Sequence, residues 1–285
     1  MRIAAFSNGA AAQLGVVVGE KIIPLSIEPS LPGDMIALIE GWDTYAKLVK
    51  RLQETATGAM DLASVHLRAP VARPSKILAI GLNYADHIAE SGMETPKDQL
   101  WFSKLPNTIV GPFDGVQIPI ASSMIDYEVE LVTVIGRRGR HISVGDARRH
   151  VFGYCVGNDV SVRDWQMMTS QWVIGKSFDT HGPIGPFITT TDAIADPHRL
   201  KIRASVNGET RQSSDTRHLV FNVWEQIAHL SKAMTLEPGD LIFTGTPGGV
   251  GVAMKPPRFL VPGDVVRCEI EELGVIENPL VAEAA

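Results

Sequence analysis

The chain has 285 residues, of which 45% are hydrophobic and 20% charged, enough to bury a full core in one large domain or two unequal ones. Its 26 basic and 32 acidic side chains give a net charge of −6 with no basic block, which argues against a nucleic-acid partner, since phosphate contacts need clustered lysine and arginine. No run reaches the roughly 20 continuous apolar residues of a membrane span, and the opening MRIAAFSNGAAAQLGVVVGE lacks the charged-then-apolar order of a signal peptide, so no membrane association and a cytoplasmic location are expected.

In chain order, residues 2–6, 14–18 and 21–24 read as short strands separated by turns at Ser7-Asn8-Gly9 and Gly19-Glu20. Pro32-Gly33-Asp34 then stops the chain and caps a helix predicted over 34–54. Pro70 and Pro74 make a linker, which divides the chain into a small N-terminal domain, 1–70, and a larger one, 71–285. The larger part reads as strands at 76–81, 115–118, 127–136, 153–157, 187–190, 199–206, 240–244 and 264–270. One helix is clear over 221–234, where Val223, Trp224, Ile227, Leu230 and Met234 recur at helical spacing. Strands that arrive in runs without βα alternation predict a strand-rich α+β fold and argue against a doubly wound sheet. Cys155 and Cys268 each sit in an apolar run and read as small core residues, too few for a disulfide framework or a zinc site.

The segment Asp126-Tyr127-Glu128-Val129-Glu130-Leu131-Val132-Thr133-Val134-Ile135-Gly136 carries the chemistry. Side chains alternate along a strand, so Glu128 and Glu130 share a face with Val132 and Val134. Two carboxylates on an otherwise apolar strand are costly to bury unpaired. They mark a solvated strand end, a pairing with arginine, or a cation site. A second apolar strand ends in Asn158-Asp159, with Arg163 and Gln166 beyond it. Asp159 either caps the following helix or completes a three-carboxylate set. Oxygen-only ligands suit Mg²⁺ or Mn²⁺ and leave positions open for a bidentate keto acid.

Six motifs in order resemble the fumarylacetoacetate hydrolase family, over residues 76–276. They are GLNYADHIAESG (81–92), DYEVELVTVIG (126–136), GYCVGNDVSVRDWQ (153–166), GKSFDTHGPIGP (175–186), VNGETRQ (206–212) and FTGTPGGVG (243–251). The segments QWVIGKSFDTHGPIGP and KPPRFLVPGDVV resemble most the bacterial branch acting on acylpyruvates and related diketo acids. The resemblance implies a catalytic domain built as a mixed β-sheet roll or sandwich behind a small α/β domain, and a homodimer.

It also implies roles. Glu128, Glu130 and Asp159 would hold Mg²⁺ or Mn²⁺. His87 and Glu90, three residues apart and so on one helix face, would be the water-activating dyad, on a mobile lid that includes residues 89–98. Lys176 would meet developing negative charge at the carbonyl or enolate. Arg163, Gln166 and Thr246 would bind the substrate, although a surface position for Arg163 and a plain tight turn at Thr246 remain open. The implied enzyme is a metal-dependent hydrolase that cleaves a C–C bond in a small anionic 2,4-diketo acid through a metal-stabilised enolate. The same site suits an isomerase or tautomerase, a decarboxylase or a lyase on a related 2-keto or 2-hydroxydienoic acid. A metal-binding protein without catalysis is the remaining alternative.

Overall fold

A computed structural model describes residues 1–9, 11–55, 58–92 and 94–284. The described strands make one sheet of 12, one of five and a two-stranded ribbon. The fold is α+β and strand-rich, as the runs of apolar segments without regular helices between them require. Among the described residues no helix is long and apolar enough to cross a membrane.

The acidic strand, Val129–Ile135, lies inside the large sheet. It runs antiparallel to Val151–Asn158 on one side and to Leu241–Phe243 on the other. All seven of its residues are buried. Val132 and Val134 pack with Leu38, Ile39, Val49 and Leu52 from the N-terminal helices. Val129, Leu131 and Ile135 pack with Ile202, Val266 and Ile270 from the five-stranded sheet. The strand is thus covered on both faces, which explains why both faces turn apolar. The even-numbered face becomes acidic only at Glu130 and Glu128, where the strand begins. Both cysteines are free and buried.

The large sheet continues through the first 70 residues. Arg2–Ser7 pairs with Gly182–Thr190 through Arg2↔Thr189 and Ile3↔Ile188, and Gln13–Val18 and Lys21–Pro24 follow outward. The division into 1–70 and 71–285 is therefore proposed as a division of the sequence, across which backbone pairing is unbroken.

The helix expected over 34–54 is two helices, Met35–Glu40 and Trp42–Thr55. Asp34 caps the first through a bond from the Ala37 amide. Gly41 ends it, and the Tyr45 ring lies where a Gly41 side chain would stand, so the chain bends there. The helix expected over 221–234 is Val223–Ala233, opened by a capping box of Asn222 and Glu225. Among the described residues, three strands of five or more residues escaped the reading: Leu100–Lys104, Glu209–Asp215 and Gly274–Ala282. Their sequences, LWFSK, ETRQSSD and GVIENPLVA, lack clean apolar alternation, and pairing with neighbours decides their conformation.

Candidate active site

Glu128 directly precedes the acidic strand, Glu130 is its second residue, and Asp159 follows the neighbouring strand Val151–Asn158. Backbone pairing locks the two ends together. The Asp159 amide donates to the Glu128 carbonyl at 2.8 Å, and the Glu128 amide donates to Asn158 Oδ1 at 2.9 Å. Carboxylate atoms of Glu128, Glu130 and Asp159 consequently lie within 4.8 Å of one another, all three buried. Asp159 does not cap the helix beyond it, whose N-cap is Val162.

Cations surround two of the three. Lys176 Nζ bridges Glu128 Oε2 at 2.6 Å and Asp159 Oδ2 at 2.7 Å. Arg163 Nη1 pairs with Glu128 Oε1 at 2.7 Å, and Lys104 Nζ with Asp159 Oδ1 at 2.7 Å. Burial alone would raise the Glu128 pKa, but Lys176 and Arg163 outweigh it and hold the carboxyl at about 2. Burial would lower the Lys176 pKa, but Asp159 and Glu128 keep this ammonium above its ordinary value. Lys104 is different. Its burial outweighs the attraction of Asp159, so its pKa is lowered.

Glu130 is the exception. Its Oε2 accepts from the Gly245 amide at 2.7 Å, and among the described residues no ion pair reaches it. Gly245 has φ +101° and packs on Asn83, a backbone state open to glycine, so the turn can aim its N–H at the carboxylate. Burial, then the charges of Asp159 and Glu128, push the Glu130 carboxyl well above its ordinary pKa. A fourth buried carboxylate, Asp126, accepts from Arg163 Nε at 2.9 Å. Three of the four carboxylates pair with Arg163, Lys104 and Lys176, and Glu130 is the one that no ion pair reaches among the described residues. A hard dication fits there: the donors are all oxygen, they converge, and one of them lacks a cation.

A cavity of about 290 Å³ opens onto this cluster. Its wall includes Glu128, Glu130, Lys176, Arg163, Gln166 and His87, closed by apolar groups such as Phe102, Trp172 and Val250. Arg163 and Gln166 lie on the short helix Arg163–Met167, both buried, with Arg163 Nη1 donating to Gln166 Oε1 at 2.9 Å. A surface position for Arg163 is thereby ruled out. Thr246 lines the cavity too, with its hydroxyl engaged by Val129 O at 3.0 Å and Gln212 Nε2 at 2.9 Å.

His87 and Glu90 share the helix Ala85–Ser91. Their closest atoms, Nδ1 and Oε2, are 3.6 Å apart, too far for a hydrogen bond. Both Glu90 oxygens accept from the Gly249 amide instead, at 3.0 and 2.9 Å. The segment expected to form a lid, 89–98, includes residue 93, which lies outside the described residues. The sequence reading passed over Lys104, Asp126 and Gln212. Asp126 had a signal, as the first acid of its motif with Arg163 downstream. Lys104 ends a strand that was not expected, where a lysine ordinarily meets solvent.

Residues 76–281 match the family described as fumarylacetoacetate (FAA) hydrolase C-terminal. The chain belongs to the fumarylacetoacetate hydrolase family. Oxaloacetate tautomerase FAHD2A, mitochondrial, from Bos taurus is 48% identical over 266 residues, covering 92% of this chain and 85% of that protein. Maleylpyruvate hydrolase from Sphingobium sp. SYK-6, solved in complex with manganese(II) ion and pyruvate, superposes with a TM-score of 0.85 at 33% identity, covering 100% of both chains. Fumarylacetoacetate hydrolase from Exiguobacterium antarcticum superposes with a TM-score of 0.86 at 36% identity, covering 99% of this chain and 100% of that one. Relatives of this member of the fumarylacetoacetate hydrolase family therefore include a tautomerase of mitochondria as well as the hydrolases its bacterial-type segments led one to expect.

Proposed function

We propose that the protein is a divalent-metal-dependent enzyme of a small 2-keto acid, and that its reaction is keto–enol tautomerisation of an oxaloacetate-type acid. The observation that carries this reading is the buried trio of Glu128, Glu130 and Asp159, with the Lys176 ammonium beside it, at the end of a 290 Å³ cavity. The 48% identity to an oxaloacetate tautomerase supports the choice of reaction. Mg²⁺ or Mn²⁺ held by the trio would supply Lewis acidity and an anchor for the substrate carboxylate and 2-keto oxygen. The apolar wall excludes water and strengthens the charges that act there. Glu90 Oε2, 3.6 Å from Nδ1 of His87, would favour the tautomer protonated at Nδ1 on closing to hydrogen-bond distance, leaving Nε2 to take a proton from the carbon next to the keto group. Lys176 Nζ faces the oxygen on which the enolate charge develops. Return of a proton to that oxygen completes the enol.

Hydrolysis of an acylpyruvate is the second reading, favoured by His87 on the cavity wall with Glu90 3.6 Å from it and by the maleylpyruvate hydrolase neighbour. There His87 Nε2 would take a proton from water, hydroxide would add to the 4-keto carbon, and cleavage of the C3–C4 bond would release an acid and the pyruvate enolate. Both readings need the same enolate and differ in what His87 deprotonates.

One assay separates them. With oxaloacetate and Mn²⁺, enol absorbance should relax faster with enzyme than without, release no pyruvate and return to the uncatalysed rate in EDTA. Stoichiometric pyruvate from an acylpyruvate, with no effect on oxaloacetate, would establish the hydrolase instead. His87→Ala should lower turnover by about 10²–10⁴-fold while leaving Mn²⁺ affinity unchanged, since His87 is not a ligand. Full turnover in that variant would remove His87 from the mechanism. A homodimer is also proposed, on the exposed apolar side chains of Met167, Met168 and Ile174 around the Lys176 loop; a monomer mass by light scattering would overturn it. A cytoplasmic location likewise stands as a proposal, against a relative named as mitochondrial; recovery in an organelle fraction would replace it.

A further inference from the structure

The motif VNGETRQ, 206–212, holds no residue of the trio or the cavity wall, yet it ends in Gln212, which is fully buried against the acidic strand. Two features of the backbone bring it there. Strand Glu209–Asp215 pairs with Lys201–Val206 through Ala204↔Gln212 and then Ser205↔Thr210, so Arg211 is an extra, bulged residue. A bulge re-aims the side chains next to it. Gly249, at φ +103°, passes so close to the Arg211 carbonyl that any Cβ would collide with it, at 2.0 Å. The glycine-rich loop can therefore lie directly on the bulge.

The contacts made there form a closed ring around Val129, the residue between the two glutamates. The Val129 amide donates to Gln212 Oε1 at 2.9 Å. Gln212 Nε2 donates to Thr246 Oγ1 at 2.9 Å and to Pro247 O at 2.7 Å. The Thr246 hydroxyl donates back to the Val129 carbonyl at 3.0 Å. Val129 needs these partners because the neighbouring chain, strand Leu241–Phe243, makes its last backbone bond to this strand just beyond Val132↔Phe243, from the Thr244 amide to the Leu131 carbonyl. Beyond that point the backbone groups of a buried strand would be orphaned. One side-chain amide and one hydroxyl replace the missing ladder. They fix the segment from which Glu128 and Glu130 project, and they tie it to the loop whose Gly245 amide holds Glu130 Oε2.

The geometry points to Gln212 as a positioning residue for the metal centre: it sets the spacing of Glu128 and Glu130 and couples that spacing to the Thr246 loop. This rests on the metal reading above. Gln212→Leu keeps shape but removes all three bonds. Measured by Mn²⁺ EPR without substrate, it should weaken binding by roughly ten- to a hundredfold, the range for lost outer-shell partners of metal ligands. KM should rise as well, because the loop moves with the ring. Thr246→Val should weaken Mn²⁺ binding too, Thr246→Ser should restore it, and the double variant Gln212→Leu with Thr246→Val should fall short of additive, since both break one ring. A drop in Tm in EDTA with Mn²⁺ affinity of the folded protein within twofold of wild type would make Gln212 merely structural and overturn the proposal. If Gln212→Leu does not fold, the Thr246→Val and Thr246→Ser pair decides, and equal Mn²⁺ affinity in those two overturns it. Wild-type protein that binds no Mn²⁺ removes the metal reading and this proposal with it.

Discussion

Glu130→Gln is expected to abolish metal binding and turnover together, and at the same time to make the metal-free protein more stable. The two effects have one cause. Glu130 is the member of the trio that no cationic side chain reaches among the described residues, so without a dication folding must either bury its charge uncompensated or hold a proton on it. Glutamine is the same size, keeps an oxygen for the Gly245 amide and carries no charge. An unsatisfied buried group costs about 1–3 kcal/mol, more when charged, and the metal-free variant should regain an amount of that order. In wild type a ligand at a hundred times its Kd adds about 2.7 kcal/mol of stability; in the variant, added Mn²⁺ should leave Tm where it was. The pH dependence follows from the direction of the shift. Burial and the neighbouring acids raise the folded-state pKa of Glu130 above 4.5, so the folded form holds a proton that the unfolded form has lost. Metal-free wild type should therefore lose stability as pH rises from 4.5 through the raised value, and Glu130→Gln should flatten that slope. A variant less stable than wild type in EDTA would mean that the carboxylate already has a partner.

Much of this site is legible in the sequence, for a reason tied to strands. Alternation alone puts Glu128 and Glu130 on one side, and the packing of Val132 and Val134 against one core and Leu131 and Ile135 against the other follows that rule. The residues alone left Asp159 open between a helix cap and a third carboxylate, and the family resemblance chose the second, because the register between the two strands is a property of the sheet. Lys104 and Gln212 were invisible in sequence. Each lies in a strand whose pattern is polar or irregular, and each becomes important through a partner more than fifty residues away. The broken helix at Gly41 has the same origin. A single glycine costs a helix about 1 kcal/mol, and packing of Tyr45 settled the matter. Polar contacts over long sequence distances carry no period, so hydrophobic patterning cannot register them.

Lys176→Met should separate charge balance from chemistry. The lysine stem and methionine fill similar space, and Phe102, 5.0 Å from Nζ, tolerates a thioether as well as an ammonium. What is lost is the one cation shared by Glu128 and Asp159. Each carboxylate keeps a second partner, Arg163 for Glu128 and Lys104 for Asp159, so the fold should survive. The metal-free protein should nonetheless lose about 3–5 kcal/mol, as when one member of a buried pair is removed. Mn²⁺ should still bind, and should raise Tm by more than it does in wild type, because the dication then meets two carboxylates from which a competing ammonium is gone. Turnover should fall by about 10²–10³-fold, the cost of losing one donor to a developing oxyanion. Lys104→Met is the comparison that gives the number meaning. Lys104 holds the other oxygen of Asp159 and the Lys176 carbonyl and is not among the cavity-lining residues, so it should cost similar stability and distinctly less turnover. If both substitutions lowered kcat equally, Lys176 would act by holding the carboxylates apart, and the oxyanion role would have to pass to another donor on the wall, with Gln166 the first candidate.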